Sequence, residues 1–125
     1  MPVLDPRDAY EITSMLRAVV DYGTGRTVRE LGVTGPVAGK TGTTNEGNDV
    51  WFVGYTPSLL AGVWFGYDTP RPIAYGASGG HFAAPAWADF YLNGWRERVF
   101  GFVFQPIIRR DGTIYGLLHV GAAVD

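Results

Sequence analysis

Three short runs rich in Val, Thr, Trp, Phe and Tyr, namely Val37 to Thr44, Val50 to Thr56 and Leu59 to Tyr67, are punctuated only by Asn-Glu-Gly-Asn and by Thr-Pro-Ser. β-branched and aromatic residues in runs of this length, bounded by turn formers, predict three sequential antiparallel strands. The middle run, Val-Trp-Phe-Val-Gly-Tyr, is apolar on both faces, which predicts a strand covered by helices on both sides. Any fold for this chain has to be built around that sheet.

Helical patterns flank it. Asp5-Pro6 with Asp8 supplies an N-cap acceptor, proline at the first helical position and acid in the first turn. Ile12, Met15, Leu16, Val19 and Val20 then recur with helical period until Gly23, predicting an amphipathic helix over 6–22 with one buried face. Val28 and Leu31 suggest a second short helical piece before the Gly35-Pro36 turn. After the strands, 68–82 is a loop rich in proline and glycine. Pro85 with the stripe Trp87, Phe90, Tyr91 and Trp95 then predicts a helix over 84–97 lying on the sheet. Phe102 to Arg109 and Thr113 to Val120 flank Asp111-Gly112, a strong hairpin signal.

With 125 residues the chain fits one small domain or a piece of a larger one. Charged residues make up 18% and the apolar set 46%, which favours a packed core over disorder. The net charge of −2 is spread along the chain, so no basic patch points to nucleic acid, and no apolar run is long enough to span a bilayer. The absence of cysteine excludes disulfides and thiolate metal sites. The N-terminus carries no export signal, and an exporting segment, if there is one, lies outside this chain.

The stretch Gly35-Pro-Val-Ala-Gly-Lys-Thr41 invites comparison with a phosphate-binding loop, but Thr34 stands where that motif needs its first glycine. The residues after Thr41, rich in glycine and β-branched types, cannot open the helix that such a loop requires. The longer run "GKTGTTNEGNDVWFVGYTPSLLAGVWFGYD" instead closely resembles the C-terminal part of the transpeptidase domain of class A penicillin-binding proteins, which cross-link peptidoglycan. "YEITSMLRAVVDYGTG" looks like the helix and turn before that family's Lys-Thr-Gly strand, and "GASGGHFAAPAWADFY" like the entry to its last helix. The resemblance covers about residues 5 to 96 and rests on several motifs in the family's order and spacing.

The resemblance implies that Lys40, Thr41, Gly42 and Thr43 bind the substrate. A stem peptide ending in D-Ala-D-Ala, or a β-lactam, needs its carboxylate held and an oxyanion stabilised. Lys40 offers positive charge, Thr41 and Thr43 offer hydroxyl donors, and Gly42 lets ligand come close to the strand. The Thr43 amide would be one oxyanion donor, and the strand edge would pair with the ligand. No cofactor or metal is called for. His81 and His119 have no second ligand at metal-binding spacing, and Ser78 has no paired base. By the same resemblance, the parent proteins act on the outer face of the bacterial cytoplasmic membrane.

The nucleophile is missing. Lys40 is the sole lysine, no Ser-x-x-Lys or Ser-x-Asn occurs, and Ser14-Met-Leu-Arg17 offers only an arginine that does not give up its proton. The catalytic set is therefore empty and the chain is expected to be inactive alone. A non-enzymatic α+β module that binds or senses through its strand edge is the alternative reading.

Residues 101–125, "GFVFQPIIRRDGTIYGLLHVGAAVD", bear a weaker resemblance to the closing hairpin of PAS sensor domains, and an ordinary hairpin is the plainer alternative. The expected division is thus 1–100 as transpeptidase fragment and 101–125 as hairpin. In the penicillin-binding fold two strands from the N-terminal part lie beside the strand matching Leu59 to Tyr67. The hairpin is expected to fill that place, giving an α+β fold with one five-stranded, mainly antiparallel sheet and helices packed on it. Trp51, Phe52, Trp64 and Phe65 are expected in the core, and Asp49 either orients the loop after the Lys-Thr-Gly strand or ends a turn.

Overall fold

Asp5 and Pro6 start the first helix as their chemistry requires: the Asp5 carboxylate accepts the Arg7 amide at 2.8 Å, and Pro6 occupies a first-turn position that needs no intrahelical donor. This helix, α1, runs Pro6–Tyr22 and ends at Gly23, whose amide closes on the carbonyls of Ala18 and Val19. The computed structural model describes residues 3–93 in full and the backbone of residues 103–108 and 114–122. A short helix α2, Thr27–Glu30, follows, with Val28 buried, and Gly32 and Gly35 make the next turns at positive φ.

The strands fall where the composition places them: β1 is Ala38–Thr43, β2 Val50–Tyr55 and β3 Leu59–Phe65. They form an antiparallel three-stranded sheet, with Lys40 opposite Val53, Thr41 opposite Phe52, and Phe52 opposite Val63. The chain enters the last helix through a π-helical turn, Gly79–Ala83, which continues into α3, Ala84–Asn93. The fold is therefore α+β, with helices packed on an antiparallel sheet. Two further backbone strands follow later in the chain, β4, Val103–Ile108, and β5, Ile114–Ala122. Pro106, which has no amide to donate to a neighbouring strand, lies in β4.

One face of the sheet carries the core. Val50, Phe52, Leu59, Ala61 and Val63 alternate inward and meet Val20, Val28 and Trp87. Trp87 is fully buried, donates its indole N–H to the Ala61 carbonyl at 3.1 Å, meets Phe52 edge-on and stacks on Tyr91. Gly54 makes this packing possible, since a Cβ there would come within 2.8 Å of the Trp87 ring.

Three expectations need correction. The middle strand is covered on one face only: Trp51 is 47% and Val53 42% exposed, and Leu60 beside them on β3 is exposed too. Of the four aromatic residues assigned to the core, Phe52 and Phe65 are buried, whereas Trp51 is exposed and Trp64 half-buried. On α1, Val20 is buried and Leu16 and Val19 are partly so, but Ile12 is 43% and Met15 63% exposed, because the stripe is wider than the face that packs against β1. Trp95 with the helix beyond Asn93, and the Asp111-Gly112 turn with Phe102, Arg109 and Thr113, lie outside the described residues.

Candidate functional site

Strand alternation divides the four predicted site residues. Thr41 and Thr43 share a face with the core residues Phe52 and Val50, whereas Lys40 and Gly42 lie on the face of exposed Val53 and Trp51. Lys40 is exposed and its ammonium donates to the Thr41 carbonyl at 3.0 Å. A Cβ on Gly42 would meet the Trp51 Cβ at 3.3 Å, so the glycine relieves a cross-strand contact as well as keeping the strand surface low.

Two loops converge on the threonine side of β1. The turn after α1 brings the Thr24 hydroxyl to 2.6 Å from that of Thr41. The π-helical turn brings the Gly79 amide to 2.9 Å from the Thr43 hydroxyl, which accepts it. Only glycine fits at 79, because a Cβ there would collide with the Trp51 carbonyl oxygen and come within 2.8 Å of the Gly42 carbonyl oxygen. Thr27 ties the two loops together by donating its hydroxyl to the Gly80 carbonyl at 3.2 Å.

Between these loops and the strand lies a depression of about 430 Å³, lined by Thr41 and Thr43 together with Thr24, Arg26, Ser78 and His81. Ser78 caps the π-helical turn, its hydroxyl accepting the His81 amide at 3.2 Å. Arg26 pairs with Glu30 at 3.4 Å on the surface, an i,i+4 contact worth about 0.3–0.5 kcal/mol. Sequence reasoning missed Thr24 and Arg26 and set Ser78 and His81 aside. The Gly-Thr-Gly that ends α1 and the Gly-Gly after Ser78 were the available signals: a Cβ at Gly25 would crowd the Phe52 ring, one at Gly79 the backbone of β1 and β2, and one at Gly80 the Thr24 carbonyl. His119 falls in β5.

The loop after β1 is fixed by Asp49. Its carboxylate accepts the Trp64 indole N–H at 2.9 Å, and its amide donates to the Thr44 hydroxyl at 3.0 Å. Asp49 therefore orients this loop, the first of the two roles considered for it. The loop is held further by the Ile73 amide, which donates to the Gly47 carbonyl.

Residues 2–91 match the penicillin binding protein transpeptidase domain. The chain is 41% identical over 95 residues to penicillin-binding protein 1A of Rickettsia bellii, an alignment that covers 76% of this chain and 12% of that protein. It is 42% identical over 87 residues to penicillin-binding protein 1A of Neisseria gonorrhoeae, covering 70% of this chain and 11% of that protein. The chain thus spans about 12% of the length of the curated relatives it matches.

Proposed function

From the premise that the chain belongs to the penicillin-binding protein transpeptidase family, we propose that it supplies the substrate-carboxylate-binding strand of a peptidoglycan D,D-transpeptidase domain. The observation that carries this reading is the pair of hydroxyls, Thr41 and Thr43, turned from one strand into the same depression. The proposed ligand is the D-Ala-D-Ala end of a stem peptide, or a β-lactam, held by Thr41 and Thr43, with Gly42 permitting close approach and Lys40 adding positive potential from the other side of β1. The terminal place of β1 in the sheet order supports a ligand that pairs along the strand edge.

Without Ser-x-x-Lys the chain cannot form an acyl-enzyme by itself. No helix among the described residues is long and apolar enough to cross a membrane. The proposed setting is the family's, the outer face of the bacterial cytoplasmic membrane. We propose further that residues 1–100 form the transpeptidase fragment and that the hairpin of 101–125 completes its sheet beside β3. The pairing of Leu59 with Ala122 and of Phe65 with Gly116 supports that placement.

The test is a chemical-shift titration of the full chain with D-Ala-D-Ala, where a half-site predicts millimolar binding, about 4 kcal/mol, centred on Lys40 to Thr44. Perturbation of another surface, with these residues unmoved, overturns the assignment. Covalent labelling of the isolated chain by fluorescent penicillin overturns the claim that it lacks a nucleophile.

A further inference from the structure

Hydroxyls donate or accept according to what their neighbours leave them. In the depression beside β1, the Thr43 hydroxyl already accepts the Gly79 amide and the Ser78 hydroxyl already accepts the His81 amide. Neither of these bonds uses the hydroxyl hydrogen, so both hydrogens remain to be given away. Thr24 and Thr41 share one hydrogen between their oxygens at 2.6 Å, which leaves the other free. Three hydroxyl hydrogens are thus available in one pocket of about 430 Å³, and Arg26 on its wall brings a permanent positive charge with a fork of further donors. Among the described residues Arg26 has one acidic partner, Glu30, across an open contact with both side chains more than 60% exposed. Such a contact gives way readily to a ligand that takes several donors at once.

The lysine of β1 is placed otherwise. Lys40 lies on the opposite face of the strand, outside the pocket lining, and its ammonium is engaged with the Thr41 carbonyl.

We propose that Thr24, Arg26, Thr41, Thr43 and Ser78 form one anion pocket, in which Arg26 rather than Lys40 is the direct counter-charge for the terminal carboxylate of the peptide ligand. The proposal rests on the reading of β1 as the substrate-binding strand and names the group that recognises the ligand's charge. Its chemistry asks for a planar anion that accepts in several directions, so a free α-carboxylate is taken and a carboxamide, which presents its own donors, is disfavoured. Specificity for the free C-terminus then comes from the turn after α1 as much as from β1.

The experiment uses the full chain, labelled for amide NMR, titrated separately with D-Ala-D-Ala, with its C-terminal amide and with inorganic phosphate. The expected result is that the acid and phosphate shift the amides of Thr24, Thr41, Thr43, Ser78 and Gly79. The amide ligand should bind about three- to tenfold more weakly than the acid, the scale of one partly exposed charge-assisted contact. Arg26→Gln should lower affinity for the acid by the same factor and leave the amide ligand unchanged, while Arg26→Lys should recover part of the loss. Lys40→Gln should keep most of the difference between acid and amide.

If D-Ala-D-Ala shifts Thr41 and Thr43 but binds wild type and Arg26→Gln alike, the assignment of Arg26 is wrong and the substrate-strand reading stands. Phosphate binding that depends on Arg26, with no response to the dipeptide, would keep the anion pocket and remove the peptide carboxylate as its ligand. Silence of the pocket residues toward all three probes overturns the inference and the strand reading together.

Discussion

Replacing Trp87 tests whether α3 is locked to the sheet by one side chain. The indole is fully buried, meets Phe52 at a centroid distance of 5.6 Å, stacks on Tyr91 at 5.4 Å, and donates to the Ala61 carbonyl at 3.1 Å. Trp87→Phe keeps a ring in the slot but removes the hydrogen bond, worth about 1 kcal/mol net, and the atoms of the pyrrole ring, worth roughly 1–2 kcal/mol more. Trp87→Ala empties the slot. Large aromatic-to-alanine changes cost about 3–5 kcal/mol, and the upper half of that range is expected because the void cannot be refilled from across the sheet. The neighbours there are Gly54, which has no side chain, and Ala61, whose methyl cannot extend. Against a total stability on the order of 5–15 kcal/mol, the alanine variant loses about a quarter or more of the whole. Urea melts of both variants followed by far-ultraviolet circular dichroism measure this without depending on the tryptophan removed. A loss below about 1 kcal/mol for Trp87→Ala, at unchanged dependence on denaturant, would refute the account of the core.

Other outcomes follow from the same geometry. Gly79→Ala drives a Cβ into the backbone of β1 and β2, so a destabilisation of about 1–3 kcal/mol is expected in thermal melts, with shifted amide signals at Thr43. Ile12→Gln and Met15→Gln each alter an exposed position of α1 and should change stability by less than about 0.5 kcal/mol; a loss above 1.5 kcal/mol would show that this stripe is packed after all. Deleting residues 101–125 should abolish cooperative melting, because β3 would then present an open edge to a sheet of three strands. A truncated chain that melts like the full one would make the hairpin a passenger.

The parts of this fold that sequence reveals are those decided locally. Asp5, Pro6 and Gly23 fix the ends of α1 through their own backbone chemistry, and the observed helix starts and stops where they direct. The β-branched runs place β1, β2 and β3 to within a residue or two, because each is bounded by residues that cannot continue a strand. Burial is a different matter. Periodicity says which residues share a face, and nothing about whether another element arrives to cover it. Ile12 and Met15 recur with Val19 and stay exposed, and Trp51 and Val53 are as apolar as Phe52 and stay exposed, because what packs on them is not encoded in their own segment.

The candidate site divides along the same line. Lys40 to Thr43 could be read as one motif because the four residues are consecutive, yet a strand turns consecutive side chains to opposite faces, so the motif contributes two hydroxyls to one side and a lysine to the other. The partners of those hydroxyls come from 17 and 36 residues away, Thr24 for Thr41 and the Gly79 amide for Thr43. The signal for each is confined to the glycines in and around it. Thr24 stands between glycines at the end of α1, and Gly79 opens a π-helical turn that amphipathic periodicity cannot foresee. What makes them a site is close approach of backbone to backbone at Gly79 and Gly80, which would be lost with any larger residue. In this chain the glycines, rather than the charged or hydroxyl-bearing residues, determine where the donors meet.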